Sequence, residues 1–318
     1  MQKILITGAN GFIGRSLTRE LLQNQDIEII AAVRDIKKIE EKRNDNLNFL
    51  KVDLMKPESL KSIPKDINTV VHLANSPLTG LVTTASRSQF LNNTRITSNL
   101  LDFTEETEVT KIIFASSSLI YSGSSASPYT EEATMIPLES LGASKIASES
   151  ILKANSKSKK IDTISMRIFT AYGPQSRNVQ FIPEAIKKIS STGQATFGNP
   201  EVMRDFIFID DVVSAFKKAI FKELNNDFIA LNIASGMSYS IHDVVDKIKD
   251  RIDPEKEIVF SKEMQRDRGT DPDHFVDITL AQEYLDWKPK ISLDQGLGLT
   301  IKYFLKHSTT PFILCRSS

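Results

Sequence analysis

Short runs of β-branched and aliphatic residues alternate along the chain with longer stretches whose apolar side chains recur at helical spacing. Ile4 to Ile6, Ile27 to Val33, Asn48 to Val52, Thr69 to Leu73, Lys111 to Ala115 and Thr163 to Ile168 read as six buried strands. Between them, Phe12 to Gln23, Gln89 to Thr104 and Leu141 to Ala154 carry the helical period, as in Leu17, Leu21 and Leu22. Apolar strands separated by amphipathic helices predict an α/β fold, a doubly wound parallel sheet with helices on both faces. Beyond Ile168 the alternation loosens, and Pro and Gly become frequent (Gly173-Pro174, Pro183, Gly193, Gly198-Asn199-Pro200). Helices are predicted there over 180–191, 211–223, 241–252 and 293–306, joined by short strands. Residues 1–168 are expected to form one domain, and 169–318 mainly a smaller mixed α/β domain, with some segments returning to the first sheet. The smaller part is placed over the carboxyl ends of the strands, where open α/β sheets bind their ligands, so a cleft between the two parts is expected.

Composition narrows the partners. Forty basic side chains balance forty acidic ones, and the pI is near 6.9, so no broad field attracts polyanions. A small molecule is expected rather than nucleic acid or a membrane surface. Cys315 is the single cysteine, which excludes an intrachain disulfide and a cysteine-based metal cluster. His72, His242, His274 and His307 show no metal-ligand spacing, so no metal is expected. No segment approaches the roughly 18 apolar residues of a membrane span, and the first residues lack a signal-peptide core, which points to the cytoplasm. The charge-rich stretch Lys37 to Asp45 reads as a solvated helix and loop.

The first chemistry appears at the first turn. Thr7-Gly8-Ala9-Asn10-Gly11-Phe12-Ile13-Gly14 follows the first strand and opens the first helix, with glycines at 8, 11 and 14. Glycines there permit a tight turn and let backbone amides approach a pyrophosphate, and the helix N-terminus favours the anion. Strand, glycine turn and helix together predict a Rossmann-type dinucleotide site. About twenty residues beyond the last glycine, such sites place a side chain against the adenosine ribose. Val33-Arg34-Asp35 stands at that point, and the Arg34 guanidinium suits a 2′-phosphate, which favours NADP over NAD. Asp35 keeps NAD open, because a one-residue shift would put its carboxylate on the ribose.

With these residues in place, the chain resembles the extended short-chain dehydrogenase/reductase family of nucleotide-sugar epimerases, dehydratases and reductases, over nearly its whole length. Val52-Asp53-Leu54 is similar to the family's adenine-contacting segment, and His72-Leu73-Ala74-Asn75 to its HLAA segment beside the cofactor. Asn93 and Asn99 lie in a stretch similar to N-x-x-G-T-x-N-L-L, with Ile96 at the glycine. Arg204-Asp205-Phe206 with Ile209-Asp210-Asp211-Val212, and Leu285-Asp286-Trp287-Lys288-Pro289, resemble two further family runs. The cofactor residues implied are thus Gly8, Asn10, Gly11, Phe12, Ile13, Gly14, Arg34, Asp53, Leu54, Leu73, Ala74, Asn75 and Lys145.

The family's catalytic set is a Ser or Thr after the fifth strand and a Tyr-x-x-x-Lys on the next helix. Ser117 stands at the hydroxyl position of Ala115-Ser116-Ser117-Ser118-Leu119-Ile120-Tyr121, and Lys145 completes Gly142-Ala143-Ser144-Lys145. Leu141 occupies the tyrosine position. Leucine exchanges no proton, a contribution typically worth 10²–10⁴-fold. Tyr121, Tyr129, Ser117 through a water, Lys145 itself or a group on the substrate could supply it. A dehydratase of the family's design is not expected, because Ser118-Leu119 replaces the acidic pair after the hydroxyl residue.

The resemblance also implies a diphosphate clamp from Arg204 with Arg266 or Arg268, sugar contacts from Ser117, Ser118 and Thr170, the last where the family commonly has Asn, and a homodimer. The reading is an NADP- or NAD-dependent enzyme acting on a nucleotide-activated sugar, a 4-ketoreductase ahead of a 4-epimerase. Its rival is a dinucleotide-binding or sensor protein that has lost the catalytic tyrosine.

Overall fold

The computed structural model describes residues 2–36, 44–76, 87–124, 126–225, 227–261 and 275–307. In chain order the first half runs β1 (Gln2–Thr7), α1 (Phe12–Leu21), β2 (Ile27–Val33), β3 (Leu47–Lys51), α2 (Pro57–Leu60), β4 (Thr69–His72), α3 (Arg87–Thr104), β5 (Lys111–Ser117), a 3-10 turn (Ser118–Tyr121), α4 (Ser140–Lys159) and β6 (Asp162–Ile168). The second half runs β7 (Thr170–Tyr172), α5 (Phe181–Ser190), β8 (Ala195–Phe197), β9 (Met203–Phe208), α6 (Ile209–Phe221), β10 (Phe228–Ile233), β11 (Ser238–Ser240), α7 (Ile241–Ile252), β12 (Ile258–Phe260), α8 (Thr279–Leu285) and α9 (Leu293–His307).

Period-two alternation distributes the strand side chains between two cores. Ile4 and Ile6 enter one apolar cluster with Leu17 and Leu21 of α1 and Val212 and Phe216 of α6. Leu5, Ile30, Ile112 and Phe114 point the other way, into a cluster with Ile96 and Leu100 of α3 and Leu152 of α4. Both faces of the strands are therefore buried, which explains why the strands read as continuous apolar runs.

The large sheet has seven strands in the order β10-β6-β5-β4-β1-β2-β3, every pair parallel. The sequence reading expected six strands in the first part of the chain. The seventh, β10, comes from the second half and pairs with β6 from Phe228↔Thr163 to Ile233↔Ile168. Its outer half is only partly buried and lies against an edge, so its apolar run is short and reads as part of the other domain. Helix α4 also outruns its expected end: the polar run Asn155–Lys159 stays helical until Lys160 turns left-handed at φ 57°.

Strand order reverses between β1 and β4, both of which neighbour the chain's first turn, and this switch point opens a crevice at the carboxyl ends of the strands. The second half adds a three-stranded sheet β11-β9-β7, whose Thr170, Ala171 and Arg204 reach the crevice, and the parallel pair β12-β8. The two family-like motifs of the second half meet each other. Asp211, in the first turn of α6, accepts amides from Lys290 (2.8 Å) and Ile291 (3.0 Å). The Trp287 indole donates to the Asp211 carbonyl (3.2 Å) and to Ser214 Oγ (2.8 Å), so both motifs tie the segment before α9 to α6. No helix among the described residues is long and apolar enough to cross a membrane.

Candidate active site

The glycine turn is shaped by close approach. Gly8 sits at φ 68°, and a Cβ there would stand 2.9 Å from the Ala74 amide nitrogen, so a side chain would push apart the ends of β1 and β4. At Gly14 a Cβ would meet the Gly8 carbonyl at 2.4 Å, which lets the first turn of α1 lie directly on the loop. Gly11 is the N-cap and brings no side chain to satisfy the helix amides. Those amides face a cleft of about 550 Å³ lined by Gly8, Gly11, Phe12, Ile13 and Gly14 on this side. This is a cradle of donors suited to a diphosphate.

The opposite wall comes from β5 and α4. Ser117 ends β5, and its Oγ accepts the Leu119 amide at 3.2 Å while keeping its own O–H to give. Ser118 lies beside it in the wall. The neighbouring Ser116 Oγ is buried with no hydrogen-bond partner among the described residues. Lys145 is 7% exposed; its Nζ donates to the Ala115 carbonyl at 2.7 Å and stands 4.7 Å from the centre of the Phe114 ring. Burial pulls the Lys145 pKa down to about 8, with Glu149 acting against the shift. Leu141 lines the same wall, an aliphatic side chain where a phenol would serve.

A polar network holds this wall. Asn93 accepts the Ser76 amide at 2.7 Å and donates to Ser144 Oγ at 2.9 Å, joining α3 to the helix turn that carries Lys145. Asn99 donates to the Leu54 carbonyl at 2.7 Å, which fixes the loop after β3. Both asparagines singled out in the sequence are thus internal ties.

The sequence-derived residues fall into three groups. Leu73, Asn75, Thr170 and Arg204 line the cleft with the glycine turn, Ser117, Ser118 and Lys145. Asn10, Arg34, Asp53, Leu54 and Ala74 lie outside its lining; Arg34 is exposed at the end of β2, and Asp53 Oδ1 takes the Met55 amide at 3.1 Å. Arg266, Arg268, His274, Cys315 and residues 37–43 of the charge run lie outside the described residues.

Two of the suggested proton carriers are spent elsewhere. Tyr121 is 1% exposed, donates to Asn232 Oδ1 at 3.1 Å and accepts from Arg167 at 2.7 Å, and burial raises its pKa to about 12. Tyr129 stacks on it, ring centres 5.1 Å apart, and points its hydroxyl at the Ser124 carbonyl. Neither lines the cleft. Arg167 itself is engaged by Glu149 in a buried ion pair at 2.8 Å.

Sequence reasoning missed Glu139, Arg177 and Gln180, all of which line the cleft. Arg177 and Gln180 sit in the loop after Gly173-Pro174, where periodicity carries no information. Glu139 immediately precedes α4, and an acid at a helix start reads as a partner of the helix dipole.

A family model for the NAD dependent epimerase/dehydratase family matches residues 4–234. The chain belongs to that family. The resemblance drawn from the sequence is thereby borne out, and the seven-stranded parallel sheet is the family's Rossmann-like fold. Among curated relatives, dTDP-4-dehydro-6-deoxyglucose reductase of Escherichia coli is 29% identical, covering 94% of this chain and 96% of the relative. UDP-glucuronate 4-epimerase of Thermodesulfobacterium geofontis is 27% identical, covering 94% and 95%. A UDP-glucuronic acid 4-epimerase from Bacillus cereus, solved with UDP-glucuronic acid and NAD, superposes with a TM-score of 0.84 at 26% identity, covering 96% of this chain and 99% of that one. The chain is thus similar along nearly its whole length to 4-epimerases and to a keto-sugar reductase.

Proposed function

We propose that this epimerase/dehydratase-family protein is a nicotinamide-dinucleotide-dependent enzyme that moves a hydride to or from a carbon of a nucleotide-activated sugar, as a 4-ketoreductase ahead of a 4-epimerase. One observation carries the reading: a single cleft is lined at once by the glycine turn, Ser117, Lys145 and Arg204. The cradle fits a dinucleotide, because a Cβ at Gly8 or Gly14 would collide with the backbone that shapes it and the Gly11 N-cap brings no side chain to its amides. When bound, the nicotinamide supplies the hydride acceptor or donor. The α1 amides would hold the cofactor diphosphate, and Lys145, beyond its bond to the Ala115 carbonyl, would donate hydrogen bonds to the nicotinamide ribose. Ser117 donates a hydrogen bond to the reacting sugar oxygen, and Arg204 pairs with the diphosphate of the sugar nucleotide. Arg34 recognises a 2′-phosphate, which makes NADP(H) the preferred, exchangeable cofactor and favours net reduction over epimerisation. A second reading, a binding protein without turnover, rests on Leu141.

A panel of UDP-, dTDP- and GDP-sugars, in 4-keto and 4-hydroxy forms, assayed with NAD(H) and NADP(H) by nicotinamide absorbance and product chromatography, tests the proposal. Turnover of a 4-keto sugar with NADPH is expected. Replacing Arg34 by Ala should then weaken NADP binding roughly 10-fold or more while leaving NAD nearly unchanged, as loss of a charge-assisted pair predicts. Binding of both cofactor and sugar nucleotide with no turnover of any panel member would instead establish the non-catalytic reading.

A further inference from the structure

The site lacks the phenol at position 141, and among the described residues four ionisable side chains other than hydroxyls line its cleft: Glu139, Lys145, Arg177 and Arg204. Guanidiniums hold their protons throughout the working range of pH. Lys145 is withdrawn into the wall, its Nζ bonded to the Ala115 carbonyl and lying over Phe114. Glu139 is the carboxylate among these four. It is the N-cap of α4, partly exposed, its backbone extended at φ −129° and ψ 152°, and its carboxylate does not cap its own helix.

The segment around it is pressed onto the turn that starts at Ser117. Leu138 donates its amide to Ser122 Oγ at 2.8 Å, and the same hydroxyl donates to the Leu119 carbonyl at 2.9 Å. Gly123 donates to the Ile136 carbonyl at 2.7 Å. Gly142 is so close to the turn that a Cβ would stand 2.4 Å from the Leu119 carbonyl. These ties hold the Glu139 backbone, two residues before Leu141, against the wall that carries Ser117, Ser118 and Leu119.

Resting on the nucleotide-sugar reading above, we propose that Glu139 is the catalytic group that exchanges the proton with the sugar oxygen, the task left open by Leu141. In oxidation the sugar O–H breaks and its proton passes to the Glu139 carboxylate, directly or through one water. The C–H electron pair leaves with its hydrogen as hydride to the oxidised nicotinamide, and the carbonyl forms. Reduction would run these transfers backwards: with hydride supplied to the carbonyl carbon by a bound reduced nicotinamide, the Glu139 carboxyl gives the proton that completes the hydroxyl. Ser117 donates to the reacting oxygen throughout and changes no net protonation.

The test compares wild type with Glu139→Gln, close in shape, and Glu139→Ala. Calorimetric titration with NAD(P) and with the accepted sugar nucleotide should give affinities within about 3-fold of wild type in Glu139→Gln, while kcat falls roughly 10²–10⁴-fold. In Glu139→Ala, added formate should restore turnover in proportion to its concentration, which a merely structural role would not produce. Adding Leu141→Tyr to Glu139→Gln should restore turnover by supplying the family's phenol. Turnover of Glu139→Gln within about 3-fold of an active wild type would overturn the role of Glu139 and leave the enzyme reading intact. A loss that neither formate nor Leu141→Tyr repairs would overturn it too. Wild type that binds both ligands and turns over none would remove the enzyme reading, and the proton step with it.

Discussion

His72 lies in the segment that the sequence places beside a cofactor, yet its ring never reaches the cleft. Nδ1 lies 2.8 Å from Thr7 Oγ1 and Nε2 lies 3.3 Å from Thr97 Oγ1, two hydroxyls that can each give or take the hydrogen bond. Burial first, and the Lys145 charge second, hold its pKa near 3. Thr7 in turn accepts the Ala74 amide at 3.2 Å, so His72 fixes the ends of β1 and β4 on which the glycine turn is built. The unfolded chain binds the proton more readily, so His72 favours the native state fully above pH 6.5, and that contribution is lost as pH falls from 6.5 towards 3. Replacing His72 by Gln should flatten the acid side of the stability curve across this window, removing on the order of 3–5 kcal/mol of pH dependence in urea melts. An unchanged acid slope would show that the ring is already protonated in the native protein. Gly8, Ser117 and Lys145 could be read from the sequence because each is tied to a local motif. Glu139 could not, because its relation to the cleft depends on how residues 136–142 fold back onto the turn after β5.

At the scale of elements, the strands of the large sheet were legible wherever both faces are buried, as in β2, β5 and β6. Strand β10 was not assigned to that sheet, since only its last half is buried and its partner β6 lies sixty residues earlier in the chain. The join between α6 and the segment before α9 is the element contact that most depends on single side chains. Asp211 satisfies two backbone amides and anchors the loop that carries Trp287, which is 3% exposed and the only tryptophan. Asp211→Ala leaves those amides without their acceptor, at a cost of about 1–3 kcal/mol. Tryptophan emission should therefore shift to the red at lower urea than in wild type. If the midpoint were unmoved, Asp211 would not be what holds the segment down.

Across the whole molecule, the position of the cleft follows from strand order alone: β1 turns one way to β2 and the other way to β4, and the crevice opens where they part. Sequence could place half of its wall, because the glycine turn, Ser117 and Lys145 all sit at strand ends or on the next helix. The other half, with Thr170, Arg177, Gln180 and Arg204, comes from loops and short strands of the second part, whose packing no periodicity reveals. Everything proposed for the chemistry requires that this crevice hold a nicotinamide dinucleotide against a sugar nucleotide. Isothermal titration of the wild-type protein with NADP and NAD, followed by UDP- or dTDP-sugar into the loaded protein, tests that requirement directly. The account predicts one cofactor per chain at micromolar affinity, NADP the tighter, and a second ligand that binds only beside it. Absence of heat and of any protection against thermal unfolding at millimolar cofactor would contradict it.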